Sequence, residues 1–351
     1  MTTKDHIAPG SRTRFGTAPD GSPVWRVGIA DGGLGAAILS WGAALQDLRC
    51  AGHGPSLVLG GPDLAAYLGP MENFGVIVGR VANRVAGGRA PLDGRLLDLE
   101  RNEAGMTALH GGSAGSGYRN WQIVDAGPSH CTLDLSLESG SGGYPGALAI
   151  RARYRIAGDG AGAGTLTLDL EAETDAPTFC NLAHHGYWTL DPAGGLGAHR
   201  LTVSADRYLP TDAARIPAGA PAPVAGTRFD FRNPRRVLMQ GDAPLDHCFC
   251  LRGAPAGGLR PACSLAAGAL VLEIETTEPG LQVYDGAMLA TAPFAGHDGA
   301  PYGAHAGLAL EPQGWPDAPN RPDFPSVLLR PGETYRQTTR FRLRRTGPAP
   351  G

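Results

Sequence analysis

The stretch ALAIRARYRI, residues 147–156, decides how this chain folds. Leu148, Ile150, Ala152, Tyr154 and Ile156 are apolar at every second position, with Ala149, Arg151, Arg153 and Arg155 between them. A repeat of two is that of a β-strand, so one face is buried and the other meets water. A helical repeat would carry arginines into the core. The same alternation returns at Leu133, Leu135 and Leu137, at Leu166, Leu168 and Leu170, at Leu270, Leu272 and Ile274, and at Tyr335, Gln337, Thr339, Phe341 and Leu343. Many half-buried strands of this kind predict an all-β protein, a large antiparallel β-sandwich with very little helix.

Turn chemistry agrees with that reading. Asp93-Gly94, between APL and RLLDL, is a hairpin signal that needs positive φ, and Gly142, Gly143, Pro145 and Gly146 punctuate the entry to the strand at 148. The 53 glycines and 30 prolines therefore serve turns. No linker or fixed repeat divides the chain, and the expected organisation is a flexible tail over 1–12, one domain over 13–345 and a second tail over 346–351. GAPAGGLRPA, residues 253–262, reads as a loose loop.

Composition removes several classes of function. The net charge is −3 with no basic run, which gives no electrostatic footprint for nucleic acid or an anionic membrane. Only Lys4 is a lysine, so Schiff-base and P-loop chemistry are set aside. No apolar run approaches the roughly 20 residues that span a bilayer, and the first residues do not read as a secretion signal, so a cytoplasmic location is expected. Cys50, Cys131, Cys180, Cys248, Cys250 and Cys263 are too dispersed for a disulfide framework and are expected to be reduced. Cys248 and Cys250 share a strand face, where packing outweighs zinc binding as an explanation.

Candidate chemistry sits in a few polar clusters. In NLAHHGYWTL, residues 181–190, an extended chain puts Leu182, His184, Gly186 and Trp188 on one face and Asn181, His185, Tyr187 and Thr189 on the other. Neighbouring histidines on a strand point apart and cannot chelate one metal, so no metal or other cofactor is expected. On spacing alone, satisfied structural histidines remain the commoner reading. GRVANRVAGG, residues 79–88, carries Arg80, Asn83 and Arg84 among glycines that permit close backbone approach, although two arginines are more often solvated. His110 precedes Gly111 and Gly112, Asp246 opens an apolar strand, and Glu311 is held extended before Pro312 at what reads as a strand end. Glu171 and Glu173, alternating with apolar residues, are ordinary wet carboxylates.

These clusters occur in an order that resembles the aldose 1-epimerase, or galactose mutarotase, family from about Val24 to Leu343. The resemblance rests on GRVANR with the following AGG and DG turn, LHGG, Asp246-His247 with Phe249, Glu278-Pro279-Gly280-x-Gln282, and WPDAP followed by FPSVLLRPGETY. It implies the family's β-supersandwich with a concave sugar groove. It also implies roles: Glu311 as catalytic base, His185 as catalytic acid, and Asn83, Arg84, His110, Asp246 and Gln282 as sugar-binding residues. The implied activity is interconversion of the α and β anomers of free aldohexoses, galactose- or glucose-like, with no cofactor. In that chemistry Glu311 needs a raised pKa and His185 must carry a proton near neutrality. A free sugar is the expected partner, with no nucleic acid or membrane, and the expected assembly is a monomer or weak homodimer.

The family pattern N-L-T-N-H-[ST]-Y-F-N-L is altered here at Ala183, His184, Gly186, Trp188 and Thr189, and E-T-Q is replaced by Glu311-Pro312-Gln313. Two other readings stay open from the residues. One is a non-catalytic sugar-binding or regulatory protein on the same scaffold. The other is a glycosidase in which Asp246 and Glu311 form a carboxylate pair about 5 to 9.5 Å apart.

Overall fold

The computed structural model describes residues 8–160, 162–239, 241, 243–253 and 258–346. The alternation of residues 147–156 becomes the strand Leu148–Gly158, in which Leu148, Ile150, Ala152, Tyr154 and Ile156 are all buried and the residues between them face outward. It lies in a nine-stranded antiparallel sheet with Gln122–Gly127, His130–Leu137, Gly164–Thr174, Tyr335–Arg345, Leu270–Thr276, Arg260–Ala267, Arg200–Val203 and Arg235–Arg236. Every stretch singled out by its period of two belongs to this sheet. The one α-helix among the described residues is the short Leu64–Tyr67, and no helix there is long and apolar enough to cross a membrane.

A second, six-stranded sheet packs against the first. Its order is Tyr187–Trp188, Leu308–Gln313, Gly280–Tyr284, Asp246–Leu251, Ala205–Tyr208 and Ala222–Pro223. Phe249, Leu251, Leu281, Val283, Leu308 and Leu310 point from it into one core shared with Ile150, Tyr154, Leu168, Leu272 and Phe341 of the larger sheet. Burial of each such side chain stabilises the fold by about 1.5–3 kcal/mol before chain entropy is counted. The larger sheet's outer face carries exposed cross-strand ion pairs such as Arg151–Asp134 and Arg340–Glu275. Exposed pairs of this kind add at most about 1 kcal/mol each and chiefly keep the face wet.

Local signals are met in detail. Asp93 and Gly94 both have positive φ, 47° and 76°, and close the hairpin in which Leu92 faces Arg95. The loop expected over 253–262 ends early, because Arg260–Ala267 is a strand and a register shift after Pro261 accommodates the missing N–H. Residues 254–257 of that stretch lie outside the described residues. Pairing at the N-terminal side begins ahead of Arg12: the Gly10 N–H donates to the Gly28 carbonyl at 2.8 Å, and the Gly28 N–H to Ser11 at 2.9 Å.

Candidate active site

The face of the six-stranded sheet turned away from the shared core gathers the polar residues, and the period of two is why. Leu281 and Val283 point into the core, so Gln282 and Tyr284 cannot. Leu308 and Leu310 likewise force Ala309 and Glu311 to the opposite face. Register aligns the rows: Cys248 is opposite Gln282, and Gln282 is opposite Glu311. Asp246 is opposite Tyr284, Tyr284 opposite Ala309, and Ala309 opposite Tyr187. Directly opposed residues share a face. The strand of Glu311 runs on through Pro312 to Gln313 instead of ending at the carboxylate. Its neighbour Tyr187–Trp188 pairs only with Ala309 and Leu308, so no ladder there asks Pro312 for an N–H.

His185 follows the short strand Ala183–His184, which pairs with Ile77–Val78. Its N–H donates to Val76 and its carbonyl accepts from Gly75, which fixes the backbone on both sides of the ring. His184 faces the other way, into the core, against Trp188 and Phe341. The two histidines therefore divide as the alternation predicts, one structural and one in the polar group. His110 and His185 meet edge to face with ring centres 5.3 Å apart, and Tyr187 lies 5.1 Å from His185.

The chain's N-terminal half supplies the rest through two crossing loops. Arg84–Val85 pairs with Ala108–Leu109, so Asn83 and His110 stand side by side, each in the left-handed region at φ 62° and 54°. Asn83 N–H donates to His110 Nδ1 at 3.2 Å, which leaves the proton of the neutral ring on Nε2. Gly111 permits the approach: a Cβ there would collide with the carbonyl of Gly79. Arg80 departs from the solvated arginine expected from sequence. It is 1 % exposed, and its guanidinium donates to the carbonyls of Leu137, Glu138, Pro145 and Gly146 and to Thr178, so it braces the loop from below.

Arg84, Asp246 and Gln282 form a connected group. Arg84 makes a bidentate pair with Glu103 through Nε and Nη2 at 2.8 and 2.6 Å, leaving Nη1 3.7 Å from Asp246 Oδ2. Asp246 Oδ1 accepts from Gln282 Nε2 at 2.6 Å. Arg215 Nε stands 3.5 Å from the same Asp246 Oδ2. Glu103 and Arg215 are not visible as site residues in the sequence. Glu103 lies in a turn closed on Thr107, and only a hairpin reading of EAGMT ahead of LHGG could have brought it near Arg84.

At the centre, Glu311 Oε2 and His185 Nε2 are 3.7 Å apart. Burial raises the Glu311 pKa well above its usual value; the Asp246 charge adds to the rise and Arg84 opposes it. Burial also pushes His185 down to about 4, against a smaller rise from a backbone hydrogen bond. Both shifts favour the neutral forms, in the opposite direction to the imidazolium expected at neutral pH: Glu311 lies beyond hydrogen-bonding distance, and the backbone contribution is smaller than the loss of hydration. His110 is lowered too, by burial and then by His185 and Arg84. Three buried atoms of this cluster have no hydrogen-bond partner among the described residues: His185 Nδ1, Gln282 Oε1 and Glu311 Oε2. Unmade buried hydrogen bonds cost about 1–3 kcal/mol each, a cost that a polyhydroxylated ligand can relieve. Among the described residues no group of three or more His, Cys, Asp or Glu side chains is arranged to hold a metal.

The seven residues to which the family resemblance gives roles, Asn83, Arg84, His110, His185, Asp246, Gln282 and Glu311, are thus linked neighbour to neighbour in one polar cluster. A family model described as aldose 1-epimerase matches residues 26–342. The chain belongs to the aldose 1-epimerase family. Galactose mutarotase of Rattus norvegicus is 36 % identical over 345 residues, which is 95 % of this chain and 98 % of the relative. Aldose 1-epimerase of Escherichia coli strain K12 is 33 % identical over 343 residues, 93 % of this chain and 97 % of that one. Among solved structures, an aldose epimerase homologue from C. elegans superposes with a TM-score of 0.84 at 29 % identity, covering 92 % of this chain and 99 % of that one. Galactose 1-epimerase from Lactobacillus acidophilus gives 0.81 at 26 %, covering 96 % and 99 %. The nearly all-β fold of this aldose 1-epimerase family member is the fold those relatives share.

Proposed function

We propose that the protein interconverts the α and β anomers of free aldohexoses, galactose- or glucose-like, with Glu311 as general base and His185 as general acid. The observation that carries this reading is the placement of one buried carboxyl and one buried imidazole 3.7 Å apart, close enough for a single hemiacetal to touch both. In the forward step the Glu311 carboxylate takes the proton of the anomeric hydroxyl while the His185 imidazolium protonates the ring oxygen. The O–H electron pair becomes the second bond of the aldehyde, and the C1 to ring-oxygen bond breaks onto the ring oxygen. Rotation about C1–C2 and reversal of both transfers give the other anomer.

The directions of the two pKa shifts fit this scheme once the pair is counted as a unit. Protonated Glu311 beside neutral His185 holds one proton, and so does ionised Glu311 beside imidazolium. The first arrangement suits the desolvated pair. Sugar hydroxyls that donate to the carboxylate and a ring oxygen that accepts from the imidazole favour the second, without uptake or loss of a proton. Arg84, His110, Asp246, Asn83 and Gln282 hold the sugar, since directional hydroxyls need fixed donors and acceptors. The mechanism asks for no cofactor, and the reading takes a free sugar as partner. We place the protein in the cytoplasm, as a monomer or weak homodimer.

The test is to follow optical rotation after dissolving pure α-galactose or α-glucose with wild type and with Glu311→Gln. Fast equilibration with wild type alone is expected, and equal rates would remove Glu311 from the chemistry. Sugar binding without acceleration by wild type would instead favour a non-catalytic binder, and release of aglycone from a chromogenic glycoside would favour the glycosidase.

A further inference from the structure

We propose that Arg215 is a sugar-binding residue which, with Asp246, reads one hydroxyl remote from the anomeric centre as donor and acceptor at once, and so helps select the aldose. The identity of the ligand rests on the mutarotase reading above; the role of Arg215 rests on the following geometry.

Arg215 is presented by a tightly tied loop. Thr211 bridges Pro217, Asp212 N–H donates to the Ile216 carbonyl at 2.9 Å, and Arg215 N–H donates to the Asp212 carbonyl at 3.0 Å. Asp212 Oδ1 accepts from Ala214 and Ile216 at 2.8 and 3.0 Å. This network holds Arg215 at φ 61°, a left-handed conformation that costs an ordinary residue about 1–2 kcal/mol and persists where its surroundings enforce it. The loop thereby aims the guanidinium across the mouth of the site, where Nη2 rests on Met288 Sδ at 3.5 Å. Met288 sits in the facing loop, its N–H on Tyr284 OH at 2.9 Å, and is 63 % exposed. A flexible thioether there offers adaptable cover to a sugar's C–H face.

Asp246 has one oxygen committed and one open. Oδ1 is taken by Gln282, while Oδ2 faces Arg84 Nη1 at 3.7 Å and Arg215 Nε at 3.5 Å with no hydrogen bond to either. A hydroxyl entering that gap donates to the carboxylate and accepts from a guanidinium. Arg84 cannot easily swing to meet it, since Nε and Nη2 are both held by Glu103. Arg215, with its side chain 38 % exposed, can. Its loose pairing with Asp246 contributes little to folding, so its removal should leave the scaffold intact.

The experiment compares wild type, Arg215→Met and Arg215→Lys on galactose, glucose and their monodeoxy forms, with KM and kcat from polarimetry and Kd from ligand-observed NMR. Arg215→Met is expected to raise KM and Kd about 10-fold with kcat within about twofold, and Arg215→Lys to recover part of the loss. The loss should vanish for one monodeoxy sugar, the one lacking the hydroxyl that Arg215 reads. Unchanged KM and Kd, an equal loss for every sugar, or a loss confined to kcat would each overturn the proposal, as would failure of wild type to bind any of these sugars. If wild type binds the sugars in an Arg215-dependent way but does not speed mutarotation, the proposed activity fails and the role of Arg215 stands.

Discussion

His185 Nε2 and Glu311 Oε2 face each other at 3.7 Å with no hydrogen bond between them, and Glu311 Oε2 has no hydrogen-bond partner among the described residues. Two buried polar groups left this close and unjoined are held apart by backbone. Val76 and Gly75 fix His185, and the register with Gln282 fixes Glu311. Fixed side by side in this way, the two groups can act together on one substrate laid across both.

Because burial raises the Glu311 pKa above its usual 4.5, the folded protein binds this proton more tightly than the unfolded chain does. The carboxyl's contribution is fully present below about 4.5 and is lost as pH climbs through the raised folded value. Glu311→Gln should remove that loss, so urea-unfolding free energies of variant and wild type should diverge in the variant's favour as pH rises. The same variant should lose about 10²- to 10⁴-fold in kcat with KM little changed. A parallel pH dependence of stability in the two proteins would show that Glu311 is not desolvated as described.

Activity requires one proton on the pair, so kcat/KM should be bell-shaped in pH. The acid limb belongs to the second protonation, near the value of about 4 to which His185 is depressed, and the alkaline limb to loss of the shared proton at the raised pKa of Glu311. A single limb centred near 6.5 would mark His185 as an ordinary hydrated histidine and break the shared-proton scheme.

Glu103 touches neither member of the pair but fixes two of the nitrogens of Arg84. Glu103→Gln should free that guanidinium to move onto Asp246, blocking the acceptor meant for sugar. The expected result is KM raised by about 10-fold with kcat nearly intact. Thr107, which donates to Glu103 at 2.7 Å, can still meet the amide oxygen, so a large fall in melting temperature would instead mark the pair as structural.

The sequence shows the faces of strands better than the company its residues keep. Period two alone separates His184 from His185. It does not contain the register that sets Cys248, Gln282 and Glu311 in one row, since register is a property of two strands together. Burial was equally hidden: Arg80 among glycines reads as solvated, yet it is almost fully buried. Gln282 was legible as a site residue only through the family motifs. Arg215 belongs to none of those motifs, and its place depends on a loop conformation that composition does not specify.

The altered stretch around His185 carries a coupling that stability can measure. The His184 ring is enclosed by Trp188 and Phe341, and a Cβ on residue 186 would collide with that ring. Where the family pattern has Asn and Ser or Thr at these two places, this chain has a larger ring at 184 and no side chain at 186. Gly186→Ser alone should therefore destabilise by about 1–3 kcal/mol through overpacking, and His184→Asn should relieve the clash. The double variant should recover much of the loss, with a coupling energy above about 0.5 kcal/mol in a double-mutant cycle. Among the described residues both ring nitrogens of His184 are also without a hydrogen-bond partner, and its pKa is pushed down to about 3 by burial, with His185 adding to the shift. A depressed folded value means that the stability tied to this ring is present above 6.5 and is lost as pH falls toward 3. Replacing the imidazole in His184→Asn removes that proton uptake, so the double variant should lose less stability than wild type between neutral pH and pH 4. Additive single effects, or an unchanged acid slope, would show that residues 184 and 186 vary independently.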